Sequence, residues 1–351
     1  MDVNELELHP RILDAIKRAK LTVEKTLCLS AADLSRLTKL STSDVGHLLY
    51  EVSKSVPRIP MAIALDIKEE RCHASLKVRY VKTGCEVLDD FLRGGILSQG
   101  ITEIAGESAA GKTQLCMQLC LTVQLPCHMG GLAGGAVYIC TEDVFPSKRL
   151  HQMIKYFNRK LGPELEMQLA VGDHIFVEHA SDQLTGISQF VFVKQESLWK
   201  CINQRVPVLL ARGMVKFIVI DSIAALFRGE YDFSEAAKRA HHLRSFGDQL
   251  RKLNQQYNAP VVCVNQVSAN MKGDSEYGRY EFIPALGLSW SNLVTCRLLL
   301  SRTSMTIDIN DPDTGNNAVA KVRTMEAMFA PHLPRDLCYY VVDAKGVHGL
   351  R

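Results

Sequence analysis

The amino-acid sequence predicts an α/β domain with a mostly parallel central sheet over residues 81–351, preceded by a small all-helical domain over residues 1–54. Continuous apolar runs support the sheet, because strands covered on both faces are apolar along their whole length. The clearest runs are residues 137–140, 217–220 and 260–264. They alternate with helical segments, as in an α/β fold.

The N-terminal region shows apolar side chains at helical spacing, for example Ile12 and Ile16. Two capping boxes, Ser30–Asp33 and Ser41–Asp44, mark helix starts. Short helices with tight joints are typical of a helix-hairpin-helix bundle. However, the joint at residues 40–42 lacks the glycines that let such a hairpin approach a DNA backbone. We therefore favour a packing or protein-contact module over a DNA-gripping one.

Residues 55–80 predict a linker, because Pro57 and Pro60 prevent a helix from continuing. The apolar stretch that begins at Pro60 has two interpretations. It is either a strand that packs on its own core or an exposed strand that adds to the sheet edge of another subunit. In the second case Met61 and Ala64 would enter pockets of that subunit.

A glycine-rich loop fits the pattern G-x-x-x-x-G-K-[ST] at every fixed position. Its residues are Gly106, Glu107, Ser108, Ala109, Ala110, Gly111, Lys112 and Thr113. The glycines let backbone N–H groups curl around phosphate oxygens, Lys112 reaches the outer phosphates, and the Thr113 hydroxyl can hold Mg²⁺. A strand candidate precedes the loop and a helix candidate follows it, so the phosphates would sit at a helix N-terminus. The loop predicts a nucleoside triphosphate site.

Polar residues end three of the predicted strands, at Glu142, Asp221 and Asn265–Gln266. Ligands of an open α/β sheet gather beyond the carboxyl ends of its strands. Asp221 can complete the Mg²⁺ shell, Glu142 can orient and deprotonate a water, and the amides can sense a phosphate. Each residue alone fits a helix cap equally well, but all lie at the same sheet edge as the glycine-rich loop. Arg149 either stacks on a base or is solvated on a helix surface.

The net charge of +3 is too small to indicate nucleic-acid binding by itself. Eleven cysteines are present without a Cys-x-x-Cys pair, which predicts buried small hydrophobes in a reducing compartment. The acidic start opens no secretory signal, and no apolar run is long enough to span a bilayer. We expect an intracellular protein with no membrane partner.

Four motifs in this order resemble the RecA family of recombinases over nearly the whole chain. They are residues 106–114, 138–143, 219–222 and 264–267. The helical N-terminal region narrows the resemblance to the eukaryotic and archaeal branch, and residues 206–214 and 330–334 narrow it to the recombinase paralogues. The resemblance implies a RecA-like P-loop ATPase core that uses ATP and Mg²⁺ in homologous recombination and double-strand-break repair. It also implies weak DNA-dependent ATPase activity, a nuclear and also cytoplasmic location, and head-to-tail assembly with another RecA-type paralogue.

The resemblance assigns roles to individual residues. The nucleotide-contacting set comprises Gly106, Glu107, Ser108, Ala109, Ala110, Gly111, Lys112, Thr113, Gln114, Arg149, Asp221 and Gln266. Within the resemblance, Thr113 and Asp221 hold Mg²⁺, Glu142 is the catalytic glutamate acting with Lys112, and Arg149 stacks on adenine. Gln266 matches the glutamine that senses the terminal phosphate. Met61 and Ala64 match the linker motif by which one protomer docks on the next, with Met61 in place of the usual aromatic.

The two loops that would bind single-stranded or branched DNA fall at residues 228–240 and 268–285. Their basic candidates are Arg228, Lys238, Arg239, Lys272 and Arg279. The first loop has three basic and three acidic side chains, and the second has two basic against three acidic. A loop that grips phosphates should be positive. In the family, an acidic residue caps the ATP of the neighbouring subunit. That acid is not evident here, since Phe329 stands at its position. The apolar segment 183–197 looks like an addition to the family pattern.

Three hypotheses follow. The first is an ATP-binding, weakly hydrolysing paralogue that works in a complex to assist recombinase filaments and the processing of recombination intermediates. The second is a strand-exchange recombinase in its own right. The third is a scaffold whose bound ATP never turns over.

Overall fold

The computed structural model describes residues 6–55, 61–73, 76–142, 144–162, 169–180, 196–227, 235–269, 282–310 and 317–351. The chain divides into two compact units, Met1–Lys77 and Val78–Arg351. No helix in these ranges is both long enough and apolar enough to cross a membrane.

The N-terminal unit is helical. Its helices are α1 (Pro10–Arg18), α2 (Val23–Cys28), α3 (Ala31–Thr38), α4 (Thr42–Ser55) and α5 (Ala64–Lys68). The predicted face is buried, with Ile12 and Ile16 packed among residues of α3 and α4. Both capping boxes form, because the Oγ atoms of Ser30 and Ser41 each accept the N–H three residues later at 3.1 Å. Each cap thereby satisfies a backbone donor that the helix itself leaves unpaired.

The apolar stretch after Pro60 is not a strand on its own core, and residues 64–68 do not form an exposed strand either, which corrects both interpretations of its backbone. Residues 64–68 form the short helix α5, and none of its residues is buried. Met61 is 102% exposed and Ile63 is 64% exposed. A short helix satisfies its own backbone groups, whereas a strand needs a neighbouring strand edge. In α5 the Ile67 N–H donates to the Ile63 carbonyl oxygen at 3.2 Å. Pro57 and Pro60 lie outside the described residues.

The second unit contains thirteen strands within the described residues. They are β1 (Tyr80–Val81), β2 (Ile96–Leu97), β3 (Ile101–Gly106), β4 (Gly135–Cys140), β5 (Ile175–His179), β6 (Val215–Asp221), β7 (Val261–Asn265), β8 (Val267–Ala269), β9 (Phe282–Pro284), β10 (Cys296–Asn310), β11 (Asn317–Phe329), β12 (Leu337–Asp343) and β13 (Gly346–Gly349). Its helices are α6 (Glu86–Phe91), α7 (Lys112–Thr122), α8 (Ser147–Leu161), α9 (Val206–Ala211), α10 (Ala224–Phe227), α11 (Ala236–Tyr257) and α12 (Gly287–Ser291).

The central sheet has nine described strands in the order β13-β12-β11-β10-β3-β7-β6-β4-β5. The run from β10 to β5 is parallel throughout, and β11, β12 and β13 extend it antiparallel. The predicted mostly parallel sheet is therefore confirmed. The two small pairs β1–β2 and β8–β9 are antiparallel.

Strand β6 shows why its sequence is continuously apolar. Phe217 and Val219 pack into the cluster that contains α7, whereas Ile218 and Ile220 pack into the cluster that contains α11. Successive strand residues point to opposite faces, and helices cover both faces here. Each residue from Phe217 to Ile220 therefore has 0% exposure.

The end of the chain forms antiparallel hairpins. Strand β10 pairs with β11 in an antiparallel ladder from Arg297–Phe329 to Asn310–Asn317. The sequence Asp311-Pro312-Asp313-Thr314-Gly315 predicts a turn, but these residues lie outside the described ranges, as does most of the segment 183–197. Residues 196–200 are helical and lead through a π-helical turn at Cys201–Arg205 into α9.

All eleven cysteines are free, and the five that the sequence places in apolar runs are buried: Cys116, Cys120, Cys140, Cys263 and Cys296. The interpretation of these residues as small core hydrophobes is confirmed. Cys28 and Cys127 are exposed, and Cys72 and Cys85 are half-buried.

A buried carboxylate, Glu103 of β3, connects several elements. Its Oε1 accepts hydrogen bonds from Asn265 Nδ2 at 2.6 Å and from Trp290 Nε1 at 3.0 Å. Its Oε2 pairs with the Arg297 guanidinium, and both side chains are almost fully buried. Arg297 also donates to Ser291 Oγ at 2.9 Å. One charge therefore joins β3 to β7, β10 and α12.

We expect Glu103→Gln to lower the unfolding free energy of the α/β unit by about 3–5 kcal/mol, because it leaves the Arg297 charge buried without a counter-charge. Both tryptophans of the chain, Trp199 and Trp290, lie in this unit, so urea unfolding followed by tryptophan fluorescence reports on it. The matched control is Glu326→Gln, which breaks a more exposed pair with Arg335. The control should cost at most about 1 kcal/mol, and equal losses in the two variants would contradict the assigned role of Glu103.

Candidate nucleotide-binding site

The glycine-rich loop joins β3 to α7. Ala109 and Gly111 have positive φ angles of 61° and 102°. Such left-handed residues turn successive N–H groups towards one concave side, which is the form of an anion-binding nest. A Cβ on Gly111 would come within 3.2 Å of Val342 Cγ2, so a side chain is disfavoured there for both conformation and space. The loop has the shape that the sequence predicts.

Lys112 begins α7 and folds back over the loop. Its Nζ donates to the carbonyl oxygens of Gly106 at 2.8 Å and Glu107 at 2.7 Å. Burial lowers the pKa of Lys112, while the carboxylates of Asp221 and Glu142 oppose that shift. The ammonium group is thus held at the mouth of the loop by two carbonyls.

The end of β6 meets the start of α7. Thr113 Oγ1 donates to Asp221 Oδ2 at 2.7 Å, and the same oxygen accepts from the Tyr138 hydroxyl at 2.5 Å. Burial and the Asp221 charge raise the pKa of Tyr138, so its hydroxyl stays a donor. A hydroxyl and a carboxylate side by side are the hard oxygen ligands that Mg²⁺ prefers.

Glu142 lies beyond the end of β4 and is exposed to the site. Its Oε1 accepts hydrogen bonds from Ser222 Oγ and from Gln266 Nε2, each at 2.6 Å. These two donors come from residues that follow β6 and β7. The carboxylate is therefore oriented by the two neighbouring strand ends, as the shared sheet edge predicts.

Arg149 of α8 is half-buried, so it is not a solvated surface arginine. Its guanidinium donates to Gln114 Oε1 at 2.6 Å and to the carbonyls of Asp343 at 2.5 Å and Ala344 at 3.1 Å. Burial lowers the pKa of Arg149. The fork geometry fixes its plane at one wall of the site.

These groups line one cavity of about 820 Å³. Its lining includes Gly106, Glu107, Ser108, Ala109, Gly111, Lys112, Thr113, Gln114, Glu142, Arg149, Asp221 and Gln266. Every nucleotide-contacting residue that the sequence singled out is in this set except Ala110, whose carbonyl oxygen accepts from the Tyr340 hydroxyl at 2.5 Å behind the loop.

Comparison with known proteins adds the family. The Rad51 family model matches residues 75–349 of the chain. The chain belongs to the Rad51 family. A second model, described as the XRCC3/RpoA-like helix-hairpin-helix domain, matches residues 3–56.

Among curated Rad51-family relatives, the DNA repair protein XRCC3 of Mus musculus is 41% identical over 360 residues, covering 100% of this chain and 98% of the relative. The DNA repair protein rhp57 of Schizosaccharomyces pombe is 30% identical over 363 residues, covering 95% of this chain and 94% of the relative. The DNA repair protein RAD51 homolog 2 of Homo sapiens is 30% identical over 318 residues, covering 84% of this chain and 78% of the relative. The expected resemblance to the recombinase paralogues, and to X-ray repair cross-complementing protein three in particular, is confirmed. Membership of this family, together with a RecA-like fold, implies nucleotide binding.

The geometry of the site, considered apart from the family, also fits a nucleotide and its metal. The loop offers inward N–H groups and an ammonium group for phosphates, and Thr113 with Asp221 offers two hard oxygens for Mg²⁺. Arg149 supplies a flat cation at the far wall. The residues present therefore suit a magnesium nucleoside triphosphate.

Sequence reasoning missed four residues of this site. Tyr138 binds Asp221, Tyr340 binds the loop carbonyl of Ala110, Arg323 Nε donates to the Ala109 carbonyl at 3.1 Å, and Asp343 lines the cavity. A tyrosine inside an apolar strand needs a hydroxyl partner, so Tyr138 carried a usable signal. The other three come from the C-terminal hairpins, and only the folded sheet brings them to the loop.

Among the described DNA-binding candidates, Lys238 and Arg239 do not line this cavity. Arg228, Lys272 and Arg279 lie outside the described residues. Lys238 pairs with Glu235 at 3.3 Å, and Arg239 is half-buried in α11. Arg251 of the same helix donates to the carbonyls of Asn292 and Leu293 at 3.3 and 2.8 Å.

We expect Arg149→Lys to loosen the turn between β12 and β13, because an ammonium group cannot donate to Gln114 and both carbonyls in one plane. Losing hydrogen bonds of this kind costs about 1–3 kcal/mol, so amide hydrogen exchange at Lys345 and Gly346 should accelerate about tenfold. The matched control is Arg159→Lys in the same helix, where the guanidinium lies over the Tyr156 ring at 5.2 Å. Unchanged exchange at the turn in Arg149→Lys would refute this support.

Proposed function

We propose that this protein is an ATP-binding, weakly hydrolysing recombinase paralogue that acts in homologous recombination repair of DNA double-strand breaks, in the nucleus with a cytoplasmic pool. In this proposal it is a subunit of a complex with another RecA-type paralogue. The complex assists recombinase filaments and the processing of recombination intermediates on single-stranded or branched DNA. One observation supports the nucleotide part: Lys112, Thr113, Asp221 and Glu142 converge on one cavity at the carboxyl edge of the sheet.

The binding roles follow from the geometry. Lys112 would exchange its two carbonyl partners for phosphate oxygens, and the backbone of the loop would hold the phosphates nearer the base. Thr113 and Asp221 would hold Mg²⁺, which supplies positive charge to the phosphate oxygens when bound. Arg149, fixed by Gln114 and the carbonyls after β12, would present its flat face to the base.

Glu142 is the residue placed to orient and deprotonate an attacking water. Its carboxylate is held by Ser222 and Gln266, so it is already aimed before a nucleotide enters. Gln266 would exchange its bond to Glu142 for one to the terminal phosphate and thereby report that phosphate to β8 and the residues beyond.

Two features favour an assisting role over strand exchange by this chain alone. The two predicted DNA loops carry no excess of positive charge, and strong phosphate binding requires such an excess. Phe329 stands where a neighbour's ATP would be capped by an acid, and its ring lies against the Arg297 guanidinium at 5.0 Å. A protomer of this kind would complete a partner's ATP site poorly.

Residues 61–68, the proposed docking segment, would connect the subunit to its partner. Met61 and the helix α5 present exposed apolar side chains, among them Ile63 and Leu65, and the resemblance assigns Met61 and Ala64 to protomer docking. Exposed apolar side chains grouped in this way mark interaction sites.

We expect Lys112→Ala to weaken ATP binding at least about tenfold, because charge-assisted hydrogen bonds are worth about 1.5–3 kcal/mol each. Glu142→Gln should bind ATP normally and release phosphate about a hundredfold more slowly, because it removes the base but not the phosphate contacts. Isothermal titration with ATP and single-turnover phosphate release, with and without single-stranded DNA, measure the two effects. Glu86→Gln, outside the cavity, is the control.

If Glu142→Gln lost ATP binding as strongly as Lys112→Ala, the assignment of Lys112 to phosphate binding and of Glu142 to hydrolysis would be contradicted. In repair assays in cells, full repair by Glu142→Gln together with failure of Lys112→Ala would favour the scaffold whose ATP never turns over. Joint-molecule formation by the purified chain alone would favour the strand-exchange recombinase instead.

We expect Met61→Asp to abolish co-purification of a co-expressed paralogue of the same family, because burying an unpaired charge in a pocket costs several kcal/mol. The control is Met305→Asp, the same change at another exposed methionine. Retained co-purification in Met61→Asp would exclude this segment as the docking site, and loss in both variants would exclude a specific effect.

A further inference from the structure

Three side chains outside the phosphate-binding groups form a thiol–imidazole–carboxylate cluster. Cys85 precedes α6, Asp343 ends β12 and His348 lies in β13. His348 Nε2 lies 3.3 Å from Asp343 Oδ1, and the imidazole and the Cys85 thiol are close enough for each to shift the pKa of the other. The Gly349 N–H donates to Cys85 Sγ at 3.3 Å. A cysteine, a histidine and a carboxylate in this order are the arrangement that activates a thiol.

The electrostatics of the cluster favour a charged thiol. The interactions with the Asp343 carboxylate and the Cys85 thiol raise the pKa of His348 to about 9, so the imidazole is protonated at neutral pH. Burial raises the pKa of the Cys85 thiol, but the hydrogen bonds from His348 and from backbone N–H groups outweigh it and the net shift is downward. The opposite holds for a second set of cysteines, in which burial raises the pKa: Cys116, Cys120, Cys140, Cys201, Cys263, Cys296 and Cys338.

The other charged groups nearby do not cancel this arrangement. Glu86 pairs with Arg351 at 2.8 Å and both side chains are exposed, so water and the guanidinium screen its charge. Lys160 Nζ donates to the Gly84 carbonyl at 2.9 Å and adds positive charge beside Cys85. Cys338, the other thiol near Cys85, is neutral because burial raises its pKa.

The cluster shares one residue with the nucleotide cavity. Asp343 lines that cavity, and its Oδ1 accepts the N–H groups of Lys345 and Gly346 at 2.8 and 3.1 Å, which forms the turn into β13. Its carbonyl accepts from Arg149 at 2.5 Å. His348 therefore supports, through Asp343, the same turn that holds the Arg149 guanidinium.

We propose that Cys85 is a redox-sensitive site whose thiolate is oxidised by hydroperoxides to the sulfenic acid, and that this oxidation weakens nucleotide binding through His348 and Asp343. Cys85 is half-buried, so a small oxidant can reach it. The effect on nucleotide binding rests on the proposed nucleotide site, whereas the oxidation of Cys85 does not.

The step balances with hydrogen peroxide as the oxidant. The thiolate sulfur attacks one peroxide oxygen, an S–O bond forms and the O–O bond breaks. The leaving hydroxide takes the proton of the His348 imidazolium and departs as water, so the cysteine loses two electrons and the peroxide gains them. His348 then no longer has a thiolate partner, and its support of Asp343 weakens.

The first test compares cysteines within the full-length protein. Dilute hydrogen peroxide is added with dimedone, which traps sulfenic acids, and mass spectrometry follows all eleven cysteines. We expect Cys85 to be trapped at least about tenfold faster than Cys28 and Cys127, because thiolate character and not exposure alone sets reactivity. In His348→Gln the rate at Cys85 should fall to that of the exposed cysteines, with circular dichroism confirming the fold.

Faster trapping at Cys28 or Cys127, which are the more exposed thiols, would overturn the proposal. An unchanged Cys85 rate in folded His348→Gln would overturn the role of the imidazole.

The second test measures ATP affinity by titration before and after peroxide treatment. We expect the affinity of the wild-type protein to fall several-fold on oxidation and to recover with dithiothreitol, whereas Cys85→Ser should not respond to peroxide. Complete sulfenylation of Cys85 with unchanged affinity would refute the coupling. If the untreated protein bound no ATP, the proposed nucleotide site would fail while the trapping result would stand.

Discussion

The carboxylate of Glu103 is the interaction on which the centre of this fold depends. It is fully buried in β3, where an unpaired charge would be prohibitively costly. Asn265, Trp290 and Arg297 reach it from three other elements. Because each partner must arrive at a fixed point on β3, the network specifies which strands flank β3 and in what register. The position of β3 in turn fixes where the glycine-rich loop that follows it begins.

The nucleotide site is a consequence of this arrangement. Parallel strands end at one edge, so the residues that follow β3, β4, β6 and β7 meet there although they are distant along the chain. The Thr113–Asp221 hydrogen bond joins residues 108 positions apart, and the Gln266–Glu142 bond joins residues 124 apart. Glu142, Asp221 and Lys112 are each held by hydrogen bonds to other residues of the site before any ligand is present. This reduces the reorganisation that binding requires.

The C-terminal hairpins supply several contacts that support the site. Tyr340 and Arg323 support the carbonyls of the loop from behind, and Asp343 holds both the Arg149 guanidinium and the His348 imidazole. A thiol and a nucleotide cavity thus share one structural support. In the proposed function, the exposed helix α5 and the lack of excess positive charge in the predicted DNA loops fit a subunit that works beside other subunits.

The sequence by itself determined the local features of this protein. Continuous apolar runs predicted the parallel strands, Ser30 and Ser41 predicted helix starts, and the glycine-rich loop with Asp221, Glu142 and Gln266 predicted the candidate site, because these signals depend on spacing along one segment. Only the tertiary structure decided that residues 64–68 are helical rather than extended, since a strand requires an edge that no local pattern reveals. It also decided the partners of Arg149, the places of Tyr340 and Arg323, and the Cys85–His348–Asp343 cluster. These contacts join segments up to 264 residues apart, and sequence spacing carries no information about which distant elements the sheet order brings together.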